Sequence, residues 1–408
     1  MLARFRRWCM AVMACVALGV GASATVATSA AGANAGDRVY WANETGSKAI
    51  SFTRLDNTGG GGDVNTTGAT PATPEGVTLD LPTGRIFWAN FGNDTISFAK
   101  LDNTGGGGQL PTGSAQMIGP GGVAIDPVGR KIYWANDNGT RISFARLDGS
   151  GGGNLDTTGA TVARPLGVAL DLGHGRIYWA NNQGTKDSAV SFARLDNTGG
   201  GGDVKTGIAT VNGPYGVALD LAAGRVYWAN NNPTPGVISF AKLDNTGGGD
   251  LPPGAANVDG PEGVAVDNPA GKVYWANCSG NRISFAKLDG TGGGDLSTGS
   301  AAVSCPNFPL LREVPRGLKA PAITGGSTPG SKLSCSRGTW GADQIESFHY
   351  RAPKSFAFQW SRNGADVPGA TGRKFTAHTA GVYRCRVTAT NTAGSASQTS
   401  KSHRVKPT

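Results

Sequence analysis

An all-β architecture built from repeated units is what this 408-residue sequence predicts, and three observations predict it. The first is a tryptophan that returns at Trp41, Trp88, Trp134, Trp179, Trp228 and Trp275, with separations of 47, 46, 45, 49 and 47 residues. A fixed period of this length marks a repeat architecture. The second is the content of each copy: short runs rich in Val, Ile, Tyr, Phe and Trp, parted by Gly, Asn, Asp and Pro, as in Gly216-Val-Ala-Leu-Asp220, Arg225-Val-Tyr-Trp-Ala-Asn230 and Val237-Ile-Ser-Phe-Ala-Lys-Leu-Asp244. Such runs between turn formers read as strands. The third is that no window places apolar residues at helical spacing over three turns. A weaker fourth strand fits the stretch after the glycines, at Asp203-Val-Lys-Thr or Asp250-Leu-Pro-Pro. Four antiparallel strands per unit is the pattern of a propeller blade, and the six copies predict a six-bladed β-propeller.

Taken in order, residues 1–35 begin with Arg4, Arg6 and Arg7, run uncharged from Trp8 to Val20, then turn small at Ala22-Ser23-Ala24 and Ala33-Asn34-Ala35. That is the layout of a signal peptide, with cleavage after Ala24 or Ala35. No later stretch reaches the roughly 18 apolar residues of a transmembrane segment. A secreted, extracellular or cell-surface associated protein is expected.

The propeller is assigned to residues 36–314. Its strands need not alternate, because neighbours cover both faces of a blade; Ile177-Tyr178-Trp179-Ala180 is apolar throughout. The first copy enters at Arg38-Val-Tyr-Trp with no Gly-Val-Ala-Leu-Asp strand ahead of it, so the ring lacks one strand. Cys305-Pro306-Asn307-Phe308-Pro309-Leu310-Leu311 lines up with Gly213-Pro214-Tyr215-Gly216-Val217-Ala218-Leu219 and is expected to supply it, removing an open edge. Of the six cysteines, Cys9 and Cys15 fall in the signal. In a propeller the turns after the second strand and before the first share a face, so Cys278 and Cys305 are expected to pair, contributing roughly 3 to 4 kcal/mol.

Tyr-Trp-Ala-Asn, between Gly-Val-Ala-Leu-Asp and Ile-Ser-Phe-Ala-Arg-Leu-Asp, resembles the YWTD repeat, the class B repeat of low-density lipoprotein receptors. The resemblance covers roughly residues 38–313 and implies a six-bladed ring. Two signature positions differ: Thr is Ala (Ala42, Ala89, Ala135, Ala180, Ala229, Ala276) and Asp is Asn (Asn43, Asn90, Asn136, Asn181, Asn230, Asn277).

Residues 315–320 read as a linker. In residues 321–408 the period is lost and Cys335, Trp360, Tyr383 and Cys385 appear among short alternating strands. This set resembles an immunoglobulin-like sandwich, which implies a Cys335–Cys385 disulfide beside the Trp and a tyrosine corner two residues before the second Cys. That disulfide should stabilise the domain by about 4 kcal/mol. Charge divides near the same boundary: residues 318–408 hold 13 Lys and Arg against 3 acids, whereas residues 36–317 hold 21 against 25. A basic terminal module suits an anionic surface polymer. Nucleic acid is not expected, since no motif of interleaved aromatic and basic residues supports it.

The glycine-rich stretches such as Asp196 to Asp203 read as hairpins, because Gly supplies positive φ and Asn tolerates it. Asp80, Asp126, Asp171, Asp220 and Asp267 end each first strand and are expected to accept turn amides. Being the same in every copy marks them as architecture, for a ligand breaks the symmetry of its site. Positions that differ between copies on one face are therefore the binding candidates: Glu44, Glu75, Phe91, Asp137, Tyr215 and Glu262. Aromatic anchors beside acids suit an extracellular protein or carbohydrate. The propeller has one histidine, His174, in a turn, and no catalytic residue or metal ligand set is assigned. No cofactor is expected, with Ca²⁺ or another divalent ion in the propeller the one candidate. The primary reading is a monomeric binding protein. The alternatives are a metal-dependent propeller lyase or lactonase and a structural surface repeat protein.

Overall fold

The computed structural model describes residues 36–183, 188–232 and 234–407; the signal segment assigned to residues 1–35 lies outside the described residues. Six antiparallel sheets of four propeller strands each stand around one axis, exemplified by the order Pro214–Asp220, Arg225–Asn230, Val237–Lys242, Gly248–Asp250. The innermost strands touch in sequence, Pro74–Asp80 on Pro120–Asp126 and so on round to Pro306–Arg312, which touches Pro74–Asp80 again. The ring is closed. Its first blade takes its inner strand from the far end of the repeat region, with Pro306–Arg312 antiparallel to Arg38–Asn43 and Tyr40 opposite Leu310. The Cys278–Cys305 disulfide fastens the chain just before that strand.

The Trp-Ala-Asn repeat has a physical reason. Each tryptophan is fully buried, and in the first blade Trp41 Nε1 donates to Asn43 Oδ1 (3.1 Å), Asn43 Nδ2 donates to Ser51 Oγ (2.8 Å), and Ser51 Oγ donates to Asp63 Oδ1 (2.5 Å). This relay crosses the blade from its second strand to its fourth. The same atoms also hold the incoming connection, since Asn43 Oδ1 accepts from Ser304 N and Asp63 Oδ1 from Ala302 N. The buried polar groups are thereby satisfied. Copies elsewhere repeat it, as in Trp228, Asn230, Ser239 and Asp250.

The fourth strand is shorter than the sequence suggests. It spans Gly202–Asp203 and Gly248–Asp250 and does not run on through Thr206 or Pro253. The third-strand phenylalanine lies across it: a Cβ on Gly202 would stand 3.3 Å from Phe192 Cζ, and Arg176 covers the same ring at 5.0 Å from its centroid. Four of the repeated Asp residues accept turn amides as expected, Asp126 from Val128 and Gly129, Asp171 from His174, Asp220 from Ala223 and Asp267 from Ala270, whereas the Asp80 carboxylate accepts from Thr83 Oγ1 and Arg130.

Residues 315–320, read as a linker, include the strand Gly317–Lys319, paired with Thr339–Trp340. Beyond it lie two sheets, one of Ile323–Gly325, Ser331–Cys335 and Lys374–Ala377, the other built on Ser355–Arg362, Gly381–Asn391 and Gly394–Thr399. The Cys335–Cys385 disulfide joins them, and Trp360 is fully buried with its ring stacked on Phe375.

Residues 343–351 leave this module and cover the propeller axis. His349–Tyr350 pairs parallel with Leu311 and Arg312, making the first sheet five-stranded. Tyr350 Oη meets Thr78 Oγ1 (3.1 Å), Ser347 Oγ donates to the Leu219 carbonyl, and Lys354 Nζ to the Leu81 carbonyl. All three propeller partners lie near the aspartate ends of innermost strands. Phe348 faces Phe308 along the axis, and the space that they and Val77, Val123, Val168 and Val264 line is about 10 Å³. Such a space is at the lower limit for one water and is apolar. One end of the channel is thus capped. No helix among the described residues is long and apolar enough to cross a membrane.

Candidate functional site

The opposite end of the axis is built by the triplets that begin each innermost strand. A Cβ on Gly122 would stand 2.7 Å from Gly167 Cα, and one on Gly216 would stand 2.6 Å from Gly263 Cα. Only glycine lets the strands approach so closely. The closing strand departs from this, with Phe308 in the glycine position. Its ring reaches across the axis to within 2.9 Å of where a Gly167 Cβ would be. The channel is therefore shut directly beneath the middle residues of the triplets: Glu75, Gly121, Leu166, Tyr215, Glu262 and Asn307. Tyr215 tilts onto Phe308, their rings 6.2 Å apart.

Carboxylates converge on this floor. Glu75 is 3% exposed, and its Oε2 has no hydrogen-bond partner among the described residues. Burial pushes its carboxyl well above the usual range, and the nearby charges of Glu262, Glu44 and Asp137 push it further. Glu262 is raised in the same way, by burial and then by Glu44, although Asn231 Nδ2 donates to its Oε1 at 3.0 Å. The amide of Asn307 faces its Oε2, satisfying it when turned nitrogen-first. Burial, followed by the same glutamates, also raises the Tyr215 phenol. Ligand atoms of Glu44 and Glu262 lie within 4.8 Å of one another and of the Cys278–Cys305 sulfurs, which as a disulfide offer no thiolate. Asp137 is held by Arg164 through two contacts of 3.1 Å. Arg164's charge also offsets part of the rise at Glu75.

Five of the six candidates, Glu44, Glu75, Asp137, Tyr215 and Glu262, thus share one electrostatic neighbourhood. Phe91 stands apart, half-buried against the next blade, its Cε2 2.9 Å from where a Gly119 Cβ would be. Arg164, Asn307 and Phe308 were not singled out by the sequence reading. A signal for Arg164 exists. The residue before each Pro-x-Gly triplet is left-handed, with φ of 55°, 61° and 60° at Gly119, Gly213 and Gly260 but also 48° at Thr73, 49° at Arg164 and 48° at Cys305. A side chain at such a position carries backbone strain and invites a functional reason. Of the three, Arg164 grips Asp137 and Cys305 forms the disulfide.

A second cluster, Asp267, Glu313 and His349, lies under the cap at the other end. His349 Nε2 is 2.6 Å from Glu313 Oε2, and Nδ1 is 3.9 Å from Asp267 Oδ1. Burial lowers His349 to about 4, and burial with the Glu313 charge raises Asp267 to about 6. Its fully buried histidine fastens the cap. His174 is an exposed turn residue, its Nδ1 2.7 Å from Asp171 Oδ2.

No family model matches this sequence, and no curated protein matches it. Among solved structures, a chain of the nidogen/laminin complex is similar, with TM-score 0.53 at 16% identity, covering 67% of this chain and 98% of that one. That similarity shows the propeller fold. A putative TolB from Agrobacterium tumefaciens (TM-score 0.44, 13% identity, 67% of this chain and 89% of that one) and hydrazine synthase from Kuenenia stuttgartiensis (0.45, 14%, 59% and 71%) are matched at lower scores.

Proposed function

We propose that this chain is a secreted or cell-surface protein that binds an extracellular protein through the acidic end of its propeller. The observation that carries the reading is the asymmetry of the axis: one end is covered by residues 343–351, while the other holds the half-buried Glu44 and Tyr215 beside the buried carboxyls of Glu75 and Glu262, over a floor closed by Phe308. A closed floor suits a shallow docking surface, with an aromatic anchor among polar groups. The similar propeller of the nidogen/laminin complex belongs to a protein assembly, which supports a protein partner over a carbohydrate one. The basic C-terminal module is read as an immunoglobulin-like spacer that also favours anionic surface polymers. Supporting the fold assignment, Trp360 packs in one core with both cysteines of the disulfide, and the Tyr383 hydroxyl donates to the Thr379 carbonyl at 2.7 Å.

The test compares the purified chain with a Phe91→Ala, Tyr215→Ala, Glu262→Gln variant as bait for cross-linked extracellular proteins identified by mass spectrometry. Capture lost in the variant, with melting unchanged, is the expected result. Equal capture by both chains would move the partner surface elsewhere.

A further inference from the structure

We propose that the junction between ring and cap binds a divalent transition-metal ion of the zinc class, held by His349 together with carboxylate oxygens of Asp267 and Glu313. The three offer ligand atoms that all lie within 4.8 Å of one another. They come from three separate segments: Asp267 ends the inner strand Pro261–Asp267, Glu313 follows the closing strand Pro306–Arg312, and His349 belongs to the cap strand His349–Tyr350. Donors held about 2.0–2.2 Å from a zinc ion at tetrahedral angles stand roughly 3.3–3.6 Å apart. That spacing falls between the 2.6 Å from His349 Nε2 to Glu313 Oε2 and the outer limit of the group.

The neighbouring blade shows what the repeat otherwise places here. Asn268 and Glu313 each come directly after the seven-residue inner strand of their blade. Asn268 Nδ2 donates to Asp220 Oδ1 at 2.7 Å, so at that junction a carboxylate meets an amide donor. One blade on, the donor is replaced by a second carboxyl, and Asp267 meets Glu313 instead. Two acids facing each other in a buried junction call for a cation. The histidine is oriented to share it. Its Nδ1 lies 3.2 Å from Gln344 Oε1 and, as the donor of that bond, leaves the Nε2 lone pair turned to Glu313. A second-layer carbonyl that takes the other ring N–H is what fixes a metal-ligating imidazole. Arg351 does not take the place of the ion. Its charge reaches both acids, but its Nε donates to the Ala342 carbonyl at 3.2 Å, its Nη1 has no partner, and no bond runs from it to either carboxyl among the described residues. An imidazole nitrogen with carboxylate oxygens suits zinc better than calcium or magnesium, and the group holds no thiol to favour copper(I). Glu313 is half-buried, so a water completes the coordination from its side. The ion ties blade, closing strand and cap together at the end of the axis away from the proposed partner face, and this inference stands apart from the partner-binding reading.

The experiment uses the purified full chain without an affinity tag, stripped with chelator, then dialysed against ZnCl₂ for elemental analysis and titrated with CoCl₂ for visible absorption. One equivalent of metal is expected, with a cobalt absorption more intense than that of the hydrated ion. Asp267→Asn and Glu313→Gln should each weaken uptake by at least roughly tenfold. Their far-ultraviolet circular dichroism should match the parent, which separates lost ligation from lost fold. Zinc should also slow amide exchange across residues 343–351 in the parent and not in the Asp267→Asn, Glu313→Gln double variant. No uptake at millimolar zinc, uptake that the double variant keeps, as at the exposed His174 or His378, or a bound ion that leaves exchange of residues 343–351 unchanged would each overturn the proposal.

Discussion

Glu75 and Asp80 sit at the two ends of the same strand, Pro74–Asp80, and are nearly equally buried, yet their energetics are opposite. Asp80 accepts two hydrogen bonds from Arg130, at 2.7 and 2.8 Å, and one from Thr83 at 2.6 Å. Glu75 has an unpartnered oxygen. A buried group left unsatisfied costs about 1–3 kcal/mol, whereas a hydrogen bond to a charged partner contributes about 1.5–3 kcal/mol. Because burial and the facing charges of Glu262 and Glu44 disfavour the Glu75 carboxylate, Glu75→Gln should raise stability at neutral pH by about 1–3 kcal/mol, and Asp80→Asn should lower it by about 2 kcal/mol. Denaturant midpoints at constant slope measure both; a destabilised Glu75→Gln would mean that the carboxylate holds blades together. The distinction was legible in the sequence, because an aspartate at the end of five first strands is architecture while Glu75 differs between copies. Arg164 was not legible by that route: it lies one residue before the triplet, where its side chain reaches back to a neighbouring blade.

At the level of the blade, strand order and the closing strand were readable because a 45-to-49-residue period leaves one missing partner to be found at the end of the repeats. The brevity of the fourth strand was not, since its length is set by an aromatic ring from the third strand lying over glycine. The Trp–Asn–Ser relay is the part of the blade most exposed to mutation. Asn230 accepts from Trp228 Nε1 and Asn212 N and donates to Ser239 Oγ and the Val237 carbonyl, all in buried surroundings. Asn230→Ala strands several of these at once and should cost about 2–3 kcal/mol. Ala in place of both Cys278 and Cys305 should cost about 3–4 kcal/mol by releasing a loop of 27 residues. Chemical unfolding of each variant checks the numbers, and losses below about 0.5 kcal/mol would show that neighbouring blades compensate.

The covering of the axis by residues 343–351 emerges only at the scale of the whole molecule. Nothing local announces it, because His349–Tyr350 is a two-residue strand whose register is set by Leu311 and Arg312, and Ser347 and Tyr350 find partners at Leu219 and Thr78. Such contacts carry no period to read. They do couple the C-terminal module to the ring. Phe348 is 8% exposed and shares the apolar axis with Phe308 and four valines. Phe348→Ala should open a cavity there and cost about 3–5 kcal/mol. Because Trp340 and Trp360 of the C-terminal module emit together with the six blade tryptophans, amide hydrogen exchange read peptide by peptide follows ring and module separately. If the cap and ring unfold as one unit, Phe348→Ala shifts both signals together to lower denaturant, and a chain ending at residue 320 melts below the full-length protein. Two separable transitions, with the propeller unmoved by either change, would show that the cap rests on the ring without supporting it.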